Sequence, residues 1–321
     1  MTRGARLPLA ARGILDHDRR TLARLISAVE NGDRSAEEAI RALYPYTGKA
    51  RVIGLTGPLG VGKSSLVNSL LRIIRATGST VGVVAVDPSS PFSGGSVLGD
   101  RIRMEREPGD PGVFIRSMAS RGHTGGIATT TRDVARLLDA FGFDVILIET
   151  VGSGQVDVEI REVATTSVVV LVPHLGDEVQ TLKAGLFEIA DVFCVNKGDL
   201  PGADLAKRDL SELVGLGQGR DGWRPPIVVT STQANEGITD LWAAVEAHER
   251  FLETSGLRKE GERRRISHEI VGIVRDKVTE DLSAALERDP ELARLVLDVV
   301  ERRTDPYSAA DRLRSELRRP R

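Results

Sequence analysis

Val52-Ile53-Gly54-Leu55-Thr56-Gly57-Pro58-Leu59-Gly60-Val61-Gly62-Lys63-Ser64-Ser65-Leu66 decides the fold. An apolar run enters a glycine-rich turn, and the turn opens onto a segment with Leu66, Val67, Leu70 and Leu71 at helical spacing. Strand, turn and helix in that order around G-x-x-x-x-G-K-[ST] describe a phosphate loop. Backbone N–H groups of such a turn, aided by the positive end of the helix dipole, cradle nucleotide phosphates. Gly57, Gly60, Val61, Gly62, Lys63, Ser64 and Ser65 are therefore the phosphate-binding candidates. Lys63 is placed to reach the β- and γ-phosphates and to act in catalysis, and Ser64 to ligate Mg²⁺.

Outward from this stretch the chain alternates strand and helix. Segments 51–56, 81–87, 113–116, 144–150, 167–172, 192–196 and 227–230 are Val- and Ile-rich and rarely alternate with polar residues. That pattern predicts parallel strands covered on both faces. Amphipathic stretches at 129–141, 178–190 and 238–252 supply the crossover helices. The expectation is an α/β P-loop NTPase with a mainly parallel central sheet and ligand loops at the carboxyl ends of its strands.

Flanking segments read as helical. Leu22, Leu25, Ile26 and Val29 recur at helical spacing before Asn31-Gly32, and Ser35-Ala36-Glu37-Glu38 reads as a capping box for a second helix. Beyond residue 255 the strands stop, and Ile270, Ile273, Val274, Val278, Leu282 and Leu286 form a helical stripe among charges of both signs. This predicts an N-terminal helical extension (1–50), a nucleotide-binding domain (51–255) and a C-terminal helical arm (256–321). The arm reads either as a cap on its parent domain or as an oligomerisation element.

The base is read next. Asn196-Lys197-Gly198-Asp199 follows a strand and matches the N-K-x-D element of GTPases. The Asp199 carboxylate accepts from the guanine N1–H and 2-amino group; adenine offers neither, and the unmatched carboxylate costs about 1–3 kcal/mol. Asn196, Lys197 and Asp199, with Ser231 and Thr232 after the following strand, are the base-site candidates. The expected ligands are GTP and GDP with Mg²⁺.

Glu149-Thr150-Val151-Gly152 closes another strand where many GTPases carry D-x-x-G. Glu149 is expected to serve Mg²⁺ directly or through water, and Gly152 to meet the γ-phosphate. Ser153 follows Gly152, with Gln155 two positions further on, which predicts slow intrinsic hydrolysis completed by another loop or a partner. The long Gly-, Ser- and Pro-rich stretch from Asp87 to Arg101 makes a switch region, with Asp87 and Asp100 as candidates for Mg²⁺ or water positioning. Residues 116–126 read as a second loop, bearing Arg116, Arg121 and His123, before a helix.

Composition bounds the remaining possibilities. The formal charge of −2 over 321 residues gives no whole-chain case for nucleic-acid binding. No stretch approaches the ~20 apolar residues of a membrane helix, and Arg12, Asp16 and Asp18 interrupt any signal-peptide core, so a cytoplasmic protein is expected. One cysteine, Cys194, lies inside an apolar run and reads as a buried residue. With five scattered histidines and no thiolate cluster, delivery of nickel, zinc or cobalt is disfavoured. A nucleotide-dependent kinase or ATPase linked to amino-acid transport is the other alternative, opposed by Asp199.

Taken together, the stretches 54–57, 86–104, 114–126, 149–155, 177–191, 196–199 and 305–313 resemble the MeaB/ArgK-type GTPases, a class that includes the methylmalonic aciduria type A proteins. The resemblance covers nearly the whole chain. It implies a G-protein chaperone for an adenosylcobalamin-dependent acyl-CoA mutase of the methylmalonyl-CoA mutase type, coupling GTP hydrolysis to cofactor loading and protection. It also implies a homodimer through the C-terminal arm, Asp87, Asp100 and Glu149 at the Mg²⁺ and switch site, and Lys183 in a further switch that helps hydrolysis. Two departures stand out: Leu59 where the family commonly has Pro before Gly60, and Ala184 after Lys183 where some members carry a second basic residue.

Overall fold

A computed structural model describes residues 7–87, 110–119, 126–150, 159–173, 186–216 and 220–317. Its centre is a seven-stranded sheet: β1 (Arg51–Thr56), β2 (Val81–Asp87), β3 (Val113–Ala119), β4 (Val145–Thr150), β5 (Thr166–Leu171), β6 (Val192–Val195) and β7 (Ile227–Val229). The spatial order is β3-β2-β4-β1-β5-β6-β7, and every pairing is parallel. Strands β4 and β5 are buried along their whole length, which is why residues 145–148 and 168–171 run apolar without alternation, with polar residues only at the strand ends.

Two apolar cores sandwich the sheet. On one face, α4 (Lys63–Ala76) and α8 (Ile238–Thr254) pack Leu66, Leu70, Ile74, Leu241 and Val245 onto Ile53, Leu55, Val168 and Val192. On the other, α1 (Leu9–Leu15), α2 (Arg19–Glu30), α3 (Arg34–Leu43) and α5 (Gly126–Phe141) bury Ile14, Leu22, Ile26, Leu43, Val134 and Leu138 against Val84, Ile146 and Val169. The short helix α6 (Leu186–Ile189) and α7 (Ala203–Leu216) flank β6. Three further helices follow: α9 (Leu257–Arg288), α10 (Pro290–Val300) and α11 (Pro306–Leu317). The chain divides into two compact units, Met1–Arg265 and Ile266–Arg321, with the division inside α9.

Three details differ from the sequence reading. Helix α1 was not expected; its short Leu/Ala stretch forms because Ala11 and Ile14 share one face and are fully buried. Helix α3 starts one residue before Ser35, after Asp33, so Ser35 lies inside the first turn and is no cap. Strand β3 runs three residues past its expected end at Arg116, to Ala119, so the start of the expected second loop belongs to the sheet edge. The Arg116 guanidinium donates to Ser27 Oγ at 2.9 Å and pairs with Glu30 of α2, tying the N-terminal helices to the sheet.

Candidate nucleotide site

The parallel register brings the ends of β1, β2, β4, β5 and β6 to one edge, where an open α/β sheet binds its ligand. Between β1 and α4 the chain turns through Gly57, Gly60 and Gly62, all at positive φ. Gly57 is obligatory for space as well as conformation: a Cβ there would sit 2.1 Å from the Val170 carbonyl oxygen of β5. Gly62 (φ +92) is the left-handed residue from which α4 springs, and a Cβ there would lie 2.5 Å from Asn196 Nδ2. Lys63 is buried, and its ammonium donates to the Gly57 and Pro58 carbonyls at 2.6 and 2.8 Å. The loop therefore holds this cation at its own rim. Val61 is buried beneath the turn, while Ser65 faces solvent in the first turn of α4.

Ser64 and Glu149 lie 85 residues apart in sequence, and the register Leu55↔Glu149 places them together. Ser64 Oγ donates to Glu149 Oε1 at 2.6 Å, and Glu149 is buried at the end of β4. Because the serine proton points at the carboxylate, the hydroxyl lone pairs are left for a cation. Two hard oxygens at the start of a phosphate-loop helix suit Mg²⁺. Asp87 ends β2 one register step beyond the Val86↔Thr150 pair, so its backbone shares this edge. Asp100, Gly152, Lys183 and most of the expected second loop (120–125) lie outside the described residues.

The N-K-G-D turn after β6 and the loop after β7 meet the phosphate loop through Asn196, which is fully buried. Its Nδ2 donates to the Val61 carbonyl at 2.8 Å, and its Oδ1 accepts from Thr230 Oγ1 at 3.1 Å. Thr230, at the end of β7, was not singled out in the sequence; only its place between Val229 and Ser231 hinted at it. The Cys194 sulfur sits 3.2 Å from the same hydroxyl, and burial pushes its thiol up to about 12, so it stays protonated. Lys197 takes a left-handed turn (φ 58), and Gly198 N–H donates to the Thr230 carbonyl at 2.8 Å. Asp199 is exposed, and its Oδ1 accepts from Ser231 Oγ at 2.5 Å. Ser231 also accepts from Ala234 N–H and pairs through its backbone with Glu236, which shapes the second loop around Thr232. Lys63, Ser64, Glu149, Asn196, Asp199 and Ser231 are thus brought to one edge.

Known proteins resemble this chain in sequence and in fold. The family model described as "Methylmalonyl Co-A mutase-associated GTPase MeaB" matches residues 22–287. A putative GTPase of Pyrococcus abyssi is 50% identical over 303 residues, spanning 94% of this chain and 93% of the relative. The GTPase ArgK of Escherichia coli is 33% identical over 264 residues, 80% of each chain. The crystal structure of a LAO/AO transport system kinase superposes with a TM-score of 0.73 at 24% identity, covering 99% of this chain and 100% of that one, which speaks for the fold.

Proposed function

We propose, since this chain belongs to the MeaB family of GTPases, that its hydrolysis of GTP to GDP and phosphate times its action on an adenosylcobalamin-dependent acyl-CoA mutase. The mutase part of this reading rests on the match of the mutase-associated GTPase family over residues 22–287, and the nucleotide part on the Asn196 bridge. One buried amide locks the loop that reads the base to the loop that holds the phosphates, so guanine recognition and phosphate geometry are set together.

In that reading the phosphate loop binds the triphosphate through its N–H groups, and Lys63 leaves the Gly57 and Pro58 carbonyls for the β- and γ-phosphate oxygens. Ser64 and Glu149, with Asp87 and Asp100, hold Mg²⁺, which neutralises phosphate charge when bound. Asp199, oriented by Ser231, accepts from the guanine edge, and Lys197 and Thr232 flank the ring. Gly152 meets the γ-phosphate, and Lys183 assists hydrolysis when the mutase is engaged. Intrinsic turnover is slow because Ser153 follows Gly152 where other GTPases place a water-orienting Gln.

The same reading makes the arm a self-association element. Ile270, Ile273, Val274 and Val278 recur on one stripe of α9, each between 38% and 56% exposed. A second copy of the stripe is its natural cover.

The test is complex formation between the purified chain and a purified adenosylcobalamin-dependent mutase, followed by analytical ultracentrifugation. The expected result is an association whose strength changes at least about tenfold between the GDP-loaded and non-hydrolysable GTP-analogue-loaded states, ~1.4 kcal/mol of coupling. Absence of any association in either state overturns the mutase reading while leaving nucleotide hydrolysis untouched.

A further inference from the structure

Consecutive residues at the end of β4 reach across to opposite ends of the phosphate loop. Glu149 accepts from Ser64 Oγ at 2.6 Å, at the loop's exit into α4. Thr150 Oγ1 donates to Thr56 Oγ1 at 3.0 Å, at the loop's entry from β1, and stands 3.5 Å from the Leu55 carbonyl. The two contacts lie on opposite faces of the sheet, because successive strand residues point to opposite sides. Glu149 follows the parity of Val145 and Leu147, in the core beneath α4, and Thr150 that of Ile146 and Ile148, in the core beneath α5.

Leu55↔Glu149 is the last pair of the β1–β4 register, so Thr56 and Thr150 stand one step beyond it. Both are buried. Before this step the strands place apolar residues inside, Val145-Ile146-Leu147-Ile148 in β4 and Val52, Ile53 and Leu55 in β1. A buried hydroxyl carries a desolvation cost that its hydrogen bond roughly offsets, and two apolar residues of the same shape would pack as well. What two threonines add is directional: a hydrogen bond fixes distance and angle where a methyl contact does not. On the other side of β1, Gly57 lies so close to the Val170 carbonyl that a Cβ would stand 2.1 Å from its oxygen, so the loop entry is seated between β4 and β5.

We propose that Thr56 and Thr150 are positioning residues of the Mg²⁺ site, and that their bond fixes where β4 presents the Glu149 carboxylate to Ser64. The inference rests on the reading of Ser64 and Glu149 as Mg²⁺ oxygens. With β4 fastened to the loop entry on one face and to the loop exit on the other, its end cannot roll or lift without breaking one bond or the other. Mg²⁺ demands near-ideal octahedral geometry, so a loosened carboxylate shows first in the Mg²⁺ dependence of nucleotide binding.

The experiment measures binding of a fluorescent, non-hydrolysable GTP analogue by the full chain, in saturating Mg²⁺ and in EDTA. The ratio of the two affinities reports the Mg²⁺ site. Thr150→Val, which keeps the shape and loses the hydroxyl, is expected to lower that ratio at least about fivefold, and Thr150→Ser to restore most of it. Thr56→Val breaks the same bond from β1 and lowers the ratio likewise, which also tests the bond if Thr150→Val folds poorly. In the Thr56→Val background, Thr150→Val adds little, because bonded partners are not additive. A merely structural role would weaken both affinities alike and leave the ratio unchanged. An unchanged ratio in the valine variants, or a Thr150→Val effect equally large in the Thr56→Val background, overturns the proposal. A wild type indifferent to Mg²⁺ overturns both the proposal and the Mg²⁺ reading beneath it.

Discussion

Asn196 makes no obvious claim on the phosphates, yet its amide spans from the Thr230 hydroxyl to the Val61 carbonyl. That arrangement requires Gly62 to lack a side chain, since a Cβ there would stand 2.5 Å from the amide nitrogen on a backbone at φ +92. Gly62→Ala is expected to weaken GDP binding at least about tenfold, equivalent to ~1.4 kcal/mol, in a fluorescent-nucleotide titration. Unaltered affinity would contradict the steric argument. Asp199, held by Ser231, gives a sharper expectation. Asp199→Asn should lose guanine and gain xanthine, whose 2-oxo group accepts from an amide; an unchanged preference between GTP and xanthosine triphosphate would remove Asp199 from base recognition.

At the scale of elements, most of the sheet was legible because parallel strands covered on both faces carry unbroken apolar runs, as residues 145–148 of β4 and 168–171 of β5 do. The phosphate loop and the N-K-G-D turn were legible because their chemistry fixes residue type at fixed spacing. What escaped was set by partners remote in sequence. The sequence pattern ends the strand at Arg116 and continues it as a loop, because Glu30, 86 positions away, is what lets that guanidinium sit within an edge strand. Thr230 escaped because a single hydroxyl carries no pattern until Asn196 is beside it. Helix α1 escaped because only two of its residues, Ala11 and Ile14, are buried. The Arg116–Glu30 pair has a measurable weight: Glu30→Ala leaves a largely enclosed guanidinium and should cost about 1–3 kcal/mol in urea unfolding. A loss within experimental error would mean that the apolar contacts of α2 alone fasten the N-terminal helices.

Across the whole molecule, the proposed function assigns switching to the nucleotide edge of the sheet and association to the exposed apolar stripe of the helical arm. Val274→Asp, placed in that stripe at 55% exposure, should turn a dimer into a monomer in sedimentation while leaving GDP affinity unchanged. A dimer that survives the substitution would move the interface elsewhere. The central claim is that nucleotide hydrolysis is coupled to a cobalamin-dependent mutase. GTP turnover by the purified chain, with and without that mutase, tests it most directly. The account predicts slow turnover alone and at least about tenfold acceleration, ~1.4 kcal/mol off the barrier, when the mutase is added. An identical rate in its presence would contradict it.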